Sequence, residues 1–364
     1  MIIGVDCSRA LVSERTGTEN YSYSVIKEML RLPEAKKHKF VLYVRPNVII
    51  PDFLKLKWVT VREIPYKFLF TQLGLARELY KEEVDVLWIP AHTLPILRPK
   101  GLKTVVTIHG LEYKWLPEYK NLLQRWYLPL STKYAARSAD RVISVSHFTK
   151  GQLVAEFGIL PGKIKVIHEG FTRYTGERLS AKKVLGKYGI GGRYILFVGS
   201  LQPRKNIASL IAAFGELPGD TQLVISGNQG WMDGDIYQAL GKSPCPERII
   251  FTGRVSDQEL AELYRGASLY VQPSITEGFG LPILEAMGWG IPVVSSDGGA
   301  LPEVVGEAGI VVPLGPLFSD RLVRAMERAL MKSTAQRLVK RGLVRVRKFT
   351  WKKVAKETLS MLVS

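Results

Sequence analysis

Two glutamates, Glu277 and Glu285, stand eight positions apart in the stretch EGFGLPILE. Glu277 precedes a Gly-Phe-Gly turn, whose glycines let the backbone approach a ligand closely with its N–H groups pointing outward. Pro282 suits the first turn of a helix, so we expect Glu285 to lie within that helix. One carboxylate can then face a reacting group while the other accepts hydrogen bonds from a distant part of the ligand, such as two ribose hydroxyls. The alternative is a charge at a helix start and a surface residue.

Arg204 and Lys205 form a second candidate site, in the stretch LFVGSLQPRKN. A buried strand is predicted to end at Gly199, and a helix is predicted to begin near Asn206. The two cations then lie between the carboxyl end of a strand and the amino end of a helix. The helix dipole, the free N–H groups and the side-chain charges all favour a bound phosphate there. The alternative is a solvated loop.

Alternating strands and helices position both sites. Short β-branched runs such as FVLYV and VDVLWIP alternate with helical stretches such as YSYSVIKEMLRL. After a polar, Gly-rich segment the alternation starts again at RYILFVGSL. This pattern predicts an α/β protein with two parallel sheets, each covered by helices, in domains that meet near residue 172. Because ligands of such sheets bind beyond the carboxyl ends of the strands, we expect the site in a cleft between the domains.

Composition narrows the class of protein. The chain has 364 residues, 46% hydrophobic and 23% charged, which is typical of a soluble globular protein of two domains. It contains no apolar run long enough to span a membrane, and its start, MIIGVDCSRA, indicates a strand rather than a signal peptide. Cys7 and Cys245 lack a C-x-x-C spacing, which argues against a zinc site. We therefore expect a reduced, cytoplasmic protein.

The net charge of +18 is unevenly distributed. Residues 1–172 carry 26 Lys and Arg against 16 Asp and Glu, residues 173–330 carry 15 against 16, and residues 331–364 carry 10 against 1. The balances are therefore +10, −1 and +9. Such charge is found on nucleic-acid binders, on enzymes at anionic membranes and on ordinary solvated surfaces. The chain lacks the basic and aromatic interleaving of a known nucleic-acid module, so we expect no nucleic-acid partner.

The sequence resembles the retaining family-4 glycosyltransferases of the GT-B fold. The resemblance is strongest over residues 193–315, in VGSLQPRKN and in SLYVQPSITEGFGLPILEAMGWGIPVVSSDGGALPEVVGEAGIVV. It is weaker in the first half, in TVVTIHGLEY and RVISVSHFTKGQL. Glu277 and Glu285 match the two glutamates of the family motif, which are separated by seven residues. The resemblance implies two Rossmann-like domains facing a central cleft: an acceptor-side domain over 1–172, a donor domain over 173–345, and a last helix over 346–364 that crosses back to the first domain.

The resemblance also implies roles for single residues of the donor domain. Arg204 and Lys205 match the pair that binds the donor diphosphate, and Glu285 matches the acid that holds the ribose. Glu277 matches a residue beside the transferred sugar, where we expect it to position the reaction rather than act as an established nucleophile. The remaining donor-binding positions are backbone or loop positions: Gly199, Val255, Gly278, Phe279, Gly280 and Leu281.

In the first domain the resemblance implies two positions. His109 matches a histidine beside the donor sugar, whereas His147 and His168 are interpreted as structural. Gly17 matches a loop that faces the donor phosphates and the acceptor. Here the sequence departs from relatives, since GTENYSY places Glu19 and Asn20 where a glycine and an arginine are usual. An acid at this position would repel a phosphate.

These matches predict a hexosyltransferase that uses a nucleotide-diphosphate sugar, GDP- or UDP-linked mannose or glucose, and a saccharide or lipid-linked acceptor. Arg204 and Lys205 would stabilise the departing diphosphate, so we expect neither a cofactor nor a metal. The Asp233–Gly234–Asp235 stretch fits a metal-binding pattern of another glycosyltransferase fold, but we interpret it as a solvated loop.

Alternatives are a GT-B epimerase or phosphorylase, a nucleic-acid-binding protein, and a dehydrogenase, which the missing G-x-G-x-x-G after the first strand disfavours. Stretches 66–79 and 118–137, with the basic tail around Trp351, further suggest an anionic membrane surface at the cytoplasmic face.

Overall fold

The computed structural model describes residues 1–12, 15–66, 68–111, 122–228 and 234–364, and for 122–126 it describes the backbone. The described residues divide into two compact units. Unit 1 comprises residues 1–170 and 349–364, and unit 2 comprises residues 171–348. The sequence-based division had placed these boundaries at residues 172 and 345.

The α/β prediction is confirmed, because the described residues form two parallel sheets flanked by helices. The strands are β1 Ile2–Asp6, β2 Lys39–Val44, β3 Val59–Glu63, β4 Val86–Ile89, β5 Lys103–Ile108, β6 Arg141–Ser144, β7 Ile164–Val166, β8 Tyr194–Val198, β9 Gln222–Ser226, β10 Ile249–Gly253, β11 Leu269–Gln272, β12 Val293–Ser296 and β13 Ile310–Val312. The α-helices are α1 Gly17–Arg31, α2 Ala76–Leu79, α3 Leu122–Ser138, α4 His147–Phe157, α5 Ala181–Lys187, α6 Ile207–Gly215, α7 Gly234–Lys242, α8 Asp257–Gly266, α9 Leu281–Gly288, α10 Leu301–Val305, α11 Phe318–Leu330, α12 Lys332–Arg345 and α13 Trp351–Leu362.

Each unit has the doubly wound order of a Rossmann-like sheet. Among the described residues, the seven strands of unit 1 lie in the order β3-β2-β1-β4-β5-β6-β7, and the six of unit 2 lie in the order β10-β9-β8-β11-β12-β13. In both sheets the order reverses beside the first strand of the unit, and ligands of such sheets bind at this reversal. The central strands are buried on both faces, which explains their continuous apolar runs.

The last helix belongs to unit 1. Helix α13 packs against α1, and the ring of Trp351 lies edge-on to Tyr21 at 5.9 Å between centroids. A Cβ on Gly170 would lie 2.5 Å from the backbone nitrogen of Trp351, so a glycine is required at this approach. The described part of the chain contains no helix with both the length and the apolar composition needed to cross a bilayer.

Candidate active site

In unit 2, the loop after β8 carries the predicted cation pair. Backbone groups crowd here: a Cβ on Gly227 would lie 2.0 Å from the carbonyl oxygen of Gly199. The chain then forms a short 3-10 turn, Pro203–Lys205, and passes through Asn206 in the left-handed conformation before α6 begins. The carbonyl of Arg204 accepts a hydrogen bond from the backbone nitrogen of Ile275 at 2.7 Å. The cation loop is therefore fixed against the segment that follows β11.

Glu277 lies within ion-pair distance of both cations. Its Oε2 accepts a hydrogen bond from Arg204 Nη1 at 2.9 Å, and its Oε1 contacts Lys205 Nζ. The Glu277 and Lys205 side chains are each 9% exposed, so the pair is shielded from solvent screening. Sequence analysis had assigned the cations and the glutamate separate contacts with a ligand, and it missed that they contact one another.

Two neutral side chains complete the surroundings of the carboxylate. Ser274 Oγ donates to Glu277 Oε1 at 2.7 Å, and Gln272 Nε2 donates to the same oxygen at 3.0 Å. The amide oxygen of Gln272 is in turn contacted by the buried hydroxyl of Tyr270. We name Arg204, Lys205, Gln272, Ser274 and Glu277 the carboxylate cluster. Sequence analysis missed Gln272 and Ser274, although polar residues at the end of an apolar strand were a usable signal.

The electrostatics of the carboxylate cluster keep Glu277 ionised. Burial alone would raise the pKa of this carboxyl group, but the charges of Lys205 and Arg204 and the hydrogen bonds from Lys205 and Ser274 outweigh it. They lower the pKa of Glu277 to about 2. With two cations and one carboxylate, the three charged groups sum to +1 rather than the +2 that the sequence suggested. The positive charge of the Arg–Lys pair is therefore partly neutralised by Glu277.

The backbone of Glu277 is packed tightly against Gly299 and Ala300. A Cβ on Gly299 would lie 2.5 Å from the nitrogen of Glu277, and Ala300 donates its N–H to the Glu277 carbonyl at 2.9 Å. Gly278 and Phe279 are buried. Gly280 has a φ of +113°, a conformation that favours glycine, and caps α9, which begins at Leu281. The Gly-Phe-Gly turn is therefore a sharp entry into a helix, as the sequence indicated.

Glu285 lies on α9 in a different environment. It is half-buried, and its Oε2 accepts a hydrogen bond from the hydroxyl of Tyr264 at 2.7 Å. Burial raises the pKa of Glu285, the Tyr264 hydrogen bond partly opposes this, and the charge of Asp257 adds to the rise. Within the described residues, Oε1 of Glu285 accepts no hydrogen bond, so this oxygen can accept one from a ligand. Tyr264 lies on α8, and sequence analysis missed its contact with Glu285.

Val255, one of the predicted donor-binding positions, lies half-buried between β10 and α8. The next residue, Ser256, caps α8: its hydroxyl accepts a hydrogen bond from the backbone nitrogen of Glu259 at 3.2 Å. The Glu259 carboxylate accepts a reciprocal hydrogen bond from the Ser256 backbone nitrogen at 3.0 Å. The backbone around Val255 is thus held by the start of the helix that also carries Tyr264.

In unit 1, Gly17 opens α1, and a Cβ there would meet no atom within 4 Å. Glu19, the unusual acid of this loop, closes a capping box with Thr16 and lies 3.1 Å from Arg9 Nη1. The carboxylate is therefore used for the helix start and for an ion pair, which offsets part of the repulsion expected toward a phosphate.

His109 is held at the end of β5 by two hydrogen bonds within unit 1. Its Nε2 lies 2.9 Å from the carbonyl oxygen of Pro90, and its Nδ1 lies 3.0 Å from Glu169 Oε1. Tyr21 packs edge-on against the imidazole at 4.6 Å between centroids. Both ring nitrogens are thus engaged by the protein, and the role beside a donor sugar stays a prediction. Sequence analysis missed Glu169. Like His109, it follows an apolar strand run, in the segment IKVIHEG.

Three segments interpreted from the sequence fall partly outside the described residues. Asp233 of the proposed solvated loop is outside them, and Asp235 lies exposed in the first turn of α7. The basic stretch 118–137 is described from residue 122 onward, and the stretch 66–79 lacks Lys67.

Comparisons with known proteins place the chain among glycosyltransferases. One family profile, Glycosyl transferases group 1, matches residues 192–332, and another, Glycosyltransferase Family 4, matches residues 17–172. The O-antigen chain mannosyltransferase B of Escherichia coli is 33% identical over 269 residues, which cover 71% of this chain and 69% of that protein.

Solved structures share the fold along the whole chain. Sucrose-phosphate synthase from Thermosynechococcus elongatus has a TM-score of 0.75 at 21% identity, over 99% of this chain and 98% of that one. The Anabaena protein HepE in complex with UDP-glucose has a TM-score of 0.71 at 19% identity, over 100% of both chains. At these identities the likeness establishes the fold.

Proposed function

The chain belongs to the family-4 glycosyltransferases of the GT-B fold, and from that membership we propose a retaining hexosyltransferase of cell-surface glycan synthesis. It would transfer a mannose- or glucose-type hexose from a nucleotide-diphosphate sugar to a saccharide or lipid-linked acceptor. The observation that supports the proposal is the carboxylate cluster, in which two cations and one carboxylate lie together beyond the carboxyl end of a parallel sheet.

The proposed chemistry needs positive charge where the donor diphosphate leaves. Negative charge grows on the leaving oxygen, and Arg204 and Lys205, which lie in one short turn, would stabilise it. A diphosphate entering the carboxylate cluster competes with Glu277 for both cations. The ion pairs of Glu277 with Arg204 and Lys205 then weaken. Its carboxylate can accept hydrogen bonds from the hydroxyls of the transferred sugar.

The choice of donor follows from the relatives. The matched E. coli protein is named as a mannosyltransferase, and the Anabaena structure holds UDP-glucose. For this chain we propose a GDP- or UDP-linked hexose as substrate. Glu285 would accept hydrogen bonds from the ribose through its open Oε1, and the backbone beside Val255 would contact the base. Retention of configuration is proposed through attack on the same face, with the leaving phosphate taking the acceptor proton.

No cofactor or metal enters this proposal, since Arg204 and Lys205 supply the positive charge. Transfer should persist in excess EDTA. A strict requirement for manganese or magnesium would contradict this part of the proposal and would direct attention to Asp235 and its neighbours.

The proposed partners include an anionic membrane surface. Residues 1–172 carry a balance of +10, and Phe68, Leu73 and Leu130 of unit 1 are at least half exposed. Apolar side chains beside basic residues bind an anionic leaflet through both burial and charge. A location at the cytoplasmic face would give the enzyme access to a lipid-linked acceptor.

Donor hydrolysis without acceptor tests the function directly. The purified chain is incubated with GDP-mannose, GDP-glucose, UDP-glucose and UDP-galactose, and the released nucleotide and the anomer of the released sugar are followed by NMR. We expect one nucleotide class to be cleaved and the sugar to appear first as the anomer of the donor. Release of no nucleotide, together with no binding of GDP or UDP, would refute the proposed function. Initial release of the opposite anomer would refute retention alone.

A further inference from the structure

A hydrogen bond joins helices α8 and α9 of unit 2. The hydroxyl of Tyr264, on α8, donates to Oε2 of Glu285, on α9, at 2.7 Å. Tyr264 is 2% exposed, so its side chain is almost completely shielded from water. A hydrogen bond to an ionised acceptor is roughly twice as strong as one between neutral groups. Tyr264 therefore holds Glu285 more firmly than a packing contact would.

The position of Tyr264 is set by the surrounding chain. The hydroxyl of Tyr194, at the start of β8, donates to the carbonyl oxygen of Leu263 at 2.6 Å, one residue before Tyr264. A Cβ on Gly266 would lie 2.6 Å from the same hydroxyl oxygen, so α8 approaches β8 closely here. The Tyr264 ring also lies against the ring of Tyr270 at 6.1 Å between centroids. Because the tyrosine is fixed in this way, the carboxylate on α9 must follow its hydroxyl.

Glu285 has a conformational freedom that this hydroxyl removes. Its helix is anchored, since the neighbouring Ile283 and Leu284 are both fully buried, whereas the Glu285 side chain is half-buried. The last torsion angle of a glutamate has broad energy wells, so the backbone alone does not set the plane of the carboxylate. The hydrogen bond from Tyr264 sets that plane. It occupies Oε2 and leaves Oε1 as the oxygen that accepts no hydrogen bond within the described residues.

The same hydrogen bond favours the ionised carboxylate. Burial raises the pKa of Glu285, the hydrogen bond from Tyr264 opposes this rise, and the charge of Asp257 adds to it. An ionised carboxylate is only an acceptor, whereas a protonated one also donates. Oε1 is therefore kept as an acceptor, and hydroxyl groups are suitable donors for it.

We propose that Tyr264 is a positioning residue for Glu285, and that the pair selects nucleotide donors by the hydroxyl groups of their ribose. Tyr264 does not touch the ligand: its hydroxyl holds Oε2, and Oε1 accepts hydrogen bonds from the ribose. A nucleotide that lacks these hydroxyls leaves Oε1 desolvated and without a donor, and this cost discriminates against it. The inference rests on the proposed function, in which Glu285 contacts the ribose of the donor.

Nucleotides that differ in the ribose alone measure this selection. UDP is compared with dideoxy-UDP, and GDP with dideoxy-GDP, which lack both ribose hydroxyls. Affinities for the full chain are measured by titration calorimetry. We expect the wild-type chain to bind the ribose form of its nucleotide about tenfold more tightly than the dideoxy form, because the lost contact is a hydrogen bond to a charged group.

Tyr264→Phe removes the hydroxyl and keeps the ring. It should weaken binding of the ribose form about tenfold and change binding of the dideoxy form less than about twofold, so that the preference is lost. Tyr194→Phe is the matched control, because it removes a buried tyrosine hydroxyl that bonds to the backbone of α8 instead of to Glu285. The control should keep the wild-type preference. Equal loss of preference in both variants would mean a general effect on α8 and would overturn the proposal.

A double variant tests whether Tyr264 acts through Glu285. Glu285→Gln removes the charged acceptor and should itself lose most of the preference. Adding Tyr264→Phe to Glu285→Gln should then change the affinity for UDP or GDP by less than about twofold, because residues that act as one unit are not additive. A further loss of about tenfold in this background would show that Tyr264 acts independently of Glu285, and the proposal would be wrong.

NMR of the chain labelled at tyrosine Cζ keeps the test valid if Tyr264→Phe does not fold. One tyrosine resonance should shift in Glu285→Gln, and the same resonance of the wild-type chain should shift more with the ribose form of the nucleotide than with the dideoxy form. If no tyrosine resonance responds to both changes, the positioning role is wrong.

The outcomes separate this inference from the proposed function. If UDP or GDP binds but the wild-type chain shows no preference for the ribose form, the selection by Tyr264 and Glu285 is wrong while the transfer reaction stands. Failure of both nucleotides to bind the wild-type chain would instead refute the proposed function.

Discussion

Replacing Glu277 by glutamine removes one charge from the carboxylate cluster and keeps its shape. The pKa of Glu277 falls from an ordinary value of 4.5 to about 2 in the folded protein. Because one pKa unit corresponds to about 1.4 kcal/mol, ionisation of this carboxyl group stabilises unit 2 by about 3 kcal/mol at neutral pH. Glutamine resembles the protonated acid, so Glu277→Gln should cost about 3 kcal/mol. Loss of one partner from a buried ion pair is in the same range, about 3–5 kcal/mol.

The pH dependence has a defined sign. A carboxyl group whose pKa is lowered by folding contributes its full stabilisation above the unfolded value of 4.5 and loses it as the pH falls through the folded value of about 2. The difference between wild type and Glu277→Gln should therefore be constant from pH 7 to about pH 5. By pH 3 it should have fallen to roughly half.

Urea unfolding at pH 7, 5 and 3 measures this difference, and hydrogen exchange of peptides from β8 and β11 assigns it to unit 2. Glu247→Gln is the control, since Glu247 is exposed in the same unit, and it should change stability by less than about 0.5 kcal/mol. A Glu277→Gln protein as stable as wild type at pH 7, or a difference that grows toward pH 3, would refute the ion pairing described for the carboxylate cluster.

On the proposed function, Arg204→Ala and Lys205→Ala should each reduce turnover by about 10²–10³, measured by nucleotide release with the fold checked by circular dichroism; near-wild-type turnover in both would overturn the diphosphate assignment. Glu285→Gln should mainly raise the donor KM, whereas Glu277→Gln should mainly lower kcat, and steady-state kinetics showing the opposite split would exchange the two roles. The chain should co-sediment with anionic vesicles at low salt and dissociate as salt rises. Equal binding to neutral and anionic vesicles, or none to either, would contradict a membrane surface.

The fold could be predicted from the sequence because its signals are local. Buried parallel strands such as β4 and β11 are continuous apolar runs, and their alternation with helices indicates the Rossmann-like sheets without any long-range information. The Gly-Phe-Gly turn before α9 was predictable for the same reason, since glycine and proline act on their own segment of the chain.

The pairing inside the carboxylate cluster could not be predicted in this way. Glu277 lies 72 positions from Lys205 and 73 from Arg204, and the contact depends on β8 and β11 being neighbours in the sheet. Residue types identify an acid and two bases, but only the strand order shows that they meet. The same holds for His109 and Glu169, which are 60 positions apart. Contacts between residues far apart in the sequence were therefore one part of the site that sequence reasoning missed.

A carboxylate inside an anion site has a consequence for turnover on the proposed function. Without a neighbouring carboxylate, Arg204 and Lys205 would bind the departing nucleoside diphosphate more tightly and would slow its release. With Glu277 paired to Arg204 and Lys205, the carboxylate competes for the same donors after the sugar has left, so product release is accompanied by re-formation of the ion pairs. Glu277→Gln should then bind GDP or UDP more tightly than wild type while transferring sugar more slowly. Titration calorimetry with GDP and UDP measures the affinities of both proteins. Weaker nucleotide binding by the variant would mean that Glu277 helps to hold Arg204 and Lys205 in place, rather than competing with the diphosphate for them.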